Sequence, residues 1–148
     1  MRWLLIVLLS LLGVLLAVLN LLGLAEGAMA WVFSIVLWLV MAILIGQFAG
    51  GKYFLHGFLT GVIFALINSV IVYLFYDTYM ANSTAMQEAM SKMPEGFNMR
   101  TVMLAGAPIN AGIAGVVLGL LSLLGGKLFG VKKEAPPTPQ PPKSGPAA

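Results

Sequence analysis

Four uninterrupted apolar runs constrain this chain more than any other feature. They cover about 3–24, 29–49, 54–76 and 102–124, each near the roughly 20 residues that a helix needs to cross the hydrocarbon of a bilayer. The runs are continuous, without the apolar-polar alternation of outer-membrane strands. With 60% hydrophobic and 9% charged residues, a water-soluble fold would lack polar side chains to cover its outside. The expected fold is therefore an all-α integral membrane protein, a four-transmembrane-helix bundle over 1–130. A short amphipathic helix is expected in the outer loop between the third and fourth spans. The proline-rich stretch APPTPQPPKSGPAA within 131–148 has no apolar periodicity and is expected to form a disordered tail, partly in polyproline-II conformation.

The first run follows Arg2 and ends near an Ala28-Met29-Ala30 stretch that resembles a signal-peptidase site. It is longer than the usual signal-peptide core of roughly 7–15 residues, so it is expected to stay as a span. Ser10, Gly13, Ala17 and Asn20 recur at steps of three, four and three, a rhythm suited to packing against another helix.

Two further ladders of small residues step by four, Gly57, Gly61, Ala65 and Ser69 in the third run and Ala107, Ala111, Gly115 and Gly119 in the fourth. A step of four places small side chains on one slowly rotating strip, where another helix backbone can come close. The two runs point in opposite directions, and their ladders are expected to meet. Gly50-Gly51-Lys52 reads as a tight turn that makes the second and third spans antiparallel neighbours. Pro108 falls in the opening turns of the fourth span, harmless if the helix starts near Ala107 and otherwise a kink.

Asp77 to Arg100 is the one substantial loop. Asn82 or Ser83 can cap a short helix ending near Met93, with Met86, Met90 and Met93 on one face and Glu88 paired to Lys92. Arg2, Lys52, Lys127, Lys132, Lys133 and Lys143 fall on one side of a four-span chain. Lys92 and Arg100 share the other with Glu26, Asp77, Glu88 and Glu95. The positive-inside rule then places both termini and the glycine turn in the cytoplasm, in a plasma or inner membrane.

Chemistry is sparse. No cysteine is present, which removes disulfides, thiolate nucleophiles and thiolate metal sites. Length and span count would suit a small multidrug-type proton-driven transporter, but no span carries the mid-membrane carboxylate such coupling uses. No phosphate-loop, zinc-helix or nucleophile-elbow pattern occurs. The methionines of the outer loop suit Cu(I) as soft ligands, yet they read more simply as adaptable apolar filling. The Asn82-Ser83-Thr84 sequon would matter only in a eukaryotic secretory host, and the P-x-x-P spacings of the tail fit a flexible tether.

The intramembrane polar residues are His56, Thr60, Asn68 and Asn110. His56 reads as an interfacial hydrogen-bonding group. Asn68 and Asn110 sit at similar depth in oppositely directed spans, so an Asn68–Asn110 clamp is expected, with a polar path along Thr60, Ser69 and Gln47 as the functional alternative. No cofactor or metal is implied, and no enzyme. The expectation is a non-enzymatic accessory, scaffold or assembly subunit with the lipid bilayer, a membrane-protein partner or its own copies for company, and no nucleic acid. The alternative is a small oligomeric channel or transporter.

Overall fold

A computed structural model describes residues 2–94 and 96–130. Within them every regular element is an α-helix: α1 Trp3–Ser10, α2 Leu12–Leu21, α3 Gly27–Phe48, α4 Tyr53–Leu74, α5 Tyr76–Asn82, α6 Thr84–Ser91 and α7 Met99–Phe129. Four of the resulting segments are long and apolar enough to cross a membrane: Trp3–Leu21, Gly27–Phe48, Tyr53–Leu74 and Met99–Phe129. The tail, its lysines and Glu95 lie outside the described residues.

The first segment is broken at Leu11. Ser10 Oγ donates back to the Ile6 carbonyl at 2.7 Å and approaches the Thr60 carbonyl at 3.3 Å. A serine that bonds its own helix four residues back loosens the helix there. The next bond is a short i to i−3 contact, Val14 N to Leu11 O. At its end α2 closes in a Schellman motif, with Leu24 N on Leu19 O and Gly23 N on Asn20 O. Gly23 supplies the left-handed residue at φ 71°, so the helix stops three residues earlier than the apolar run suggests.

Other boundaries also differ from the apolar runs. α7 begins at Met99, where Asn98 Oδ1 accepts from Thr101 N, and therefore contains Pro108. Proline has no N–H to offer the Leu104 carbonyl, one turn back. Beyond α4 the chain forms α5, a separate helix over residues expected to be loop. The expected loop helix is α6, capped by Ser83 Oγ, which accepts from Met86 N at 3.3 Å.

Sequential helices are not the ones that pack. α4 lies at the centre, in long contact with α7 on one side and with α1 and α2 on the other. α3 leads through the glycine turn into α4 yet packs chiefly on α7, which corrects the expectation that the second and third spans are neighbours. The cause is steric. A Cβ on Gly46 of α3 would meet Gly125 of α7, and one on Gly125 would meet the Ala42 carbonyl, so these backbones touch. The strip of α4 that α3 would need is already occupied by α7.

The α4–α7 seam is built on the two ladders. A Cβ on Gly61 would lie 2.6 Å from the Ala114 carbonyl oxygen, and one on Gly115 would lie 2.9 Å from that of Phe58. Gly57 abuts Ser122 and Leu118, and Gly119 abuts Phe54. Ala65, Ala107 and Ala111 are buried along the same seam. The stripe on the first segment faces α4 in parallel, with Ser10 reaching Thr60, Gly13 against the Phe64 carbonyl and Asn20 on Asn68.

Arg2, Lys52 and Lys127 gather at the end of the bundle that carries the Gly50–Gly51 turn, the turn end. Glu26, Asp77 and Glu88 gather at the opposite, loop end. Two latches hold the loop there. Arg100 donates to the Tyr73 carbonyl at 3.2 Å, with its guanidinium 4.8 Å from the Tyr73 ring centre and 5.7 Å from that of Tyr76. A cation on the last carbonyls of α4 opposes the helix dipole favourably, and the rings shield it. Glu26 Oε2 accepts from Thr84 Oγ1 at 2.9 Å at the start of α6.

The hydroxyls of Ser83 and then Thr84 hold the Glu26 carboxyl below its ordinary value of 4.5. Because the folded-state value is the lower one, this latch is fully present above the ordinary value and is lost as pH falls through the lowered one. Hydrogen-exchange protection of α6 should therefore drop several-fold on acidification to about pH 3, with α4 and α7 unaffected. Glu26→Gln should produce the same loss at neutral pH. Unchanged protection of α6 in both experiments would contradict the latch.

Candidate functional site

Polar side chains in the long helices are few, and most are spent on structure. His56 is 1% exposed. Its Nε2 accepts the Arg2 backbone N–H at 3.0 Å, which leaves Nδ1 to donate to the Lys52 carbonyl at 3.0 Å. That pattern fixes the neutral tautomer with its proton on Nδ1 and ties the chain's start to the base of α4. Thr60 is fully buried against the first segment, its hydroxyl without a partner among the described residues. Neither residue lines either cavity beside the asparagines, and Gln47 is exposed at the turn end of α3, so Thr60 and Gln47 are not brought to the asparagines within one chain.

The asparagines come together differently from the expected clamp. Asn20 Nδ2 donates to Asn68 Oδ1 at 3.1 Å, across α2 and α4. Asn110, on the exposed side of α7, is bonded to neither among the described residues. The correction has a geometric cause. The first segment runs parallel to α4 and brings Asn20 level with Asn68, whereas Asn110 sits on the exposed side of α7.

All three asparagines nevertheless line the same two cavities. One, of about 210 Å³, opens toward the loop end and is lined also by Ser69, Tyr79 of α5 and Met103. The other, of about 250 Å³, runs deeper between α2, α4, α7 and the first half of α3, bounded by Trp31, Ser34, Trp38, Leu16 and Phe64. It exists because the buried residues of α3, Met41, Ala42, Ile45 and Gly46, all lie in its second half. The rest of α3 meets the bundle through partly buried side chains such as Phe33 and Trp38 and leaves a gap beside them. The indole Nε1 of Trp38 is shielded from solvent and has no acceptor among the described residues. Neither lining includes a charged side chain.

Below Phe64 and Leu16 the interior is closed. Gly13 lies against the Phe64 carbonyl, Gly57 against the Leu118 carbonyl and the Ser122 side chain, and Gly46 against the Gly125 backbone. The site is thus a half-depth cleft with an uncharged, hydrogen-bonding rim. Among the described residues no three His, Asp or Glu side chains gather as metal ligands.

The sequence carried signals for the members that its reading missed. Asn20 ends the first segment's packing stripe, which implies a neighbour for it. Trp31, Ser34 and Trp38 recur at steps of three and four, one face of α3. Comparison with protein-family models, curated proteins and solved structures returns no match.

A double-mutant cycle on Asn20→Leu and Asn68→Leu should give a coupling of about 0.6–2 kcal/mol in unfolding free energy, the range for hydrogen bonds between helices in lipid. The same cycle on Asn68 and Asn110 should give nearly none. Coupling between Asn68 and Asn110 in place of Asn20 would restore the clamp and contradict the observed pairing.

Proposed function

We propose that this chain is a multi-pass protein of the plasma or inner membrane, with both termini and the glycine turn cytoplasmic. In this reading it is not an enzyme and acts as an accessory, scaffold or assembly subunit through helix contacts, with the tail as a tether. Charge distribution supports the orientation, since Arg2, Lys52 and Lys127 share one end and Glu26, Asp77 and Glu88 the other. Of the two cations at the loop end, Lys92 and Arg100, the second is held by Tyr73 and Tyr76.

The observation that carries the subunit reading is the closed half of the bundle. A solute path needs polar groups from one end to the other, whereas here the turn half is sealed by glycine contacts between backbones. Outward, α3 and α7 present broad apolar faces with Ile35, Leu39, Ile109, Ile113 and Leu120 exposed. Such faces suit lipid or another helix equally.

A second reading, a small oligomeric channel or carrier, draws on Asn110. An exposed amide on a lipid-facing helix would be expensive in hydrocarbon and cheap beside a water-filled path between copies. Purification from native membranes in mild detergent should bring down a stoichiometric partner protein, identified by mass spectrometry, and liposomes of the pure protein should pass no ions or small solutes. Robust flux with no copurifying partner would favour the channel and overturn the subunit reading.

A further inference from the structure

The two cavities around the asparagines differ in character in a way that suggests one ligand lying through both. The cavity at the loop end is bordered by Asn68, Ser69, Tyr79 and Asn110, all hydrogen-bonding. The deeper one narrows onto Leu16, Trp38 and Phe64. Polar groups above and apolar groups below, joined at shared asparagines, match an amphiphile standing along the helices with its polar part at the loop end.

Hydrogen-bond capacity narrows the ligand further. Asn20 Nδ2 spends one N–H on Asn68 Oδ1. The Trp38 N–H, a donor only, has no acceptor among the described residues, and the Asn110 amide stands exposed in the cleft. The asparagines and the hydroxyls of Ser69 and Tyr79 can each donate or accept. The unpaired group of fixed sense in the two linings is the Trp38 donor, so the ligand must bring acceptors, one of them to Trp38. With no charged side chain in either lining, those acceptors are neutral, and a phosphate would find no cation there. Volumes of about 210 and 250 Å³ are too small for a helix, whose diameter with side chains is about 10–12 Å, and suit a chain with a small polar group.

We propose that the paired cavities bind one glycerolipid of the surrounding bilayer, held through its acyl-ester carbonyls at Asn110 and the Trp38 indole N–H, with one acyl chain against Leu16 and Phe64. The headgroup stays outside the protein and is not read. The site rests on the membrane reading but is independent of the subunit role. Depth agrees with it, since Asn20 lies in the last turn of α2 and Ser34 in the second turn of α3, both near helix ends at the same side. Entry is lateral, through the gap beside the first half of α3.

Native mass spectrometry of the full chain in detergent, offered dioleoyl phosphatidylcholine, phosphatidylglycerol or an ether-linked phosphatidylcholine, tests the site. One ester lipid per chain is expected, with equal occupancy for the zwitterionic and anionic headgroups. Asn110→Leu should lower occupancy roughly fivefold, the size expected for one lost hydrogen bond, and the ether analogue, which lacks both carbonyls, should lower it further. Ala30→Phe combined with Ser34→Phe, which fills the gap without touching the buried seam, should abolish it. Gly112→Leu, on the open groove beside Pro108, should leave it unchanged. No retained lipid, equal retention of the ether analogue, or equal loss in Gly112→Leu would overturn the site. A chain released from membranes by alkaline carbonate would overturn the membrane reading and the site with it, whereas a retained chain without lipid overturns the site alone.

Discussion

Everything in this bundle depends on how closely the backbones of α4 and α7 approach. At Gly57, Gly61, Gly115 and Gly119 the space a Cβ would need is occupied by atoms of the opposite helix. In hydrocarbon there is little hydrophobic drive between helices, because lipid tails are as apolar as leucine. In the membrane setting proposed for this chain, cohesion comes from dispersion contacts and short carbonyl approaches, and both grow as backbones come together. The small-residue ladders therefore hold the structure in the way that a leucine core holds a soluble one.

That seam also determines where the structure is open. Glycine contacts join α4 to α7, α3 to α7 near Gly46 and Gly125, and the first segment to α4 near Gly13. The Gly46 contact lies near the turn end, where the buried residues of α3 gather, and α3 buries little of its length. The asparagines sit where backbone contact gives way to side-chain contact. They are hydrogen-bonding groups at the upper edge of a sealed bundle, and the loop helices α5 and α6 are fastened above them by Asn82 on the Leu21 carbonyl and by Glu26 on Thr84.

Much of this was legible in the residue pattern. Run length and charge gave four apolar helices and their segregated ends, and steps of four gave the strips that meet in the seam. The Ser10–Asn20 stripe gave a face for the first segment. A strip on one helix, however, says which side is sticky and not which helix lies opposite. That is why Asn68 was paired in expectation with Asn110, at matching depth, when the parallel first segment supplies Asn20. The same limit hid the packing of α3 on α7, because a tight turn brings chain ends together without making their helices neighbours. α5 and the early start of α7 were missed for a local reason, since capping by Asn98 and continuation past Leu74 depend on contacts rather than on hydropathy.

The seam can be tested directly by adding back the missing Cβ atoms. Gly61→Ala and Gly115→Ala each drive a Cβ into the backbone of the opposite helix, whereas Gly112 has open space around it. Each seam variant should lower the unfolding temperature of the purified chain in detergent, with Gly112→Ala close to the parent. Seam variants that leave the stability of the single chain unchanged and abolish only a higher oligomer would mean that the ladders serve another subunit and would contradict the account.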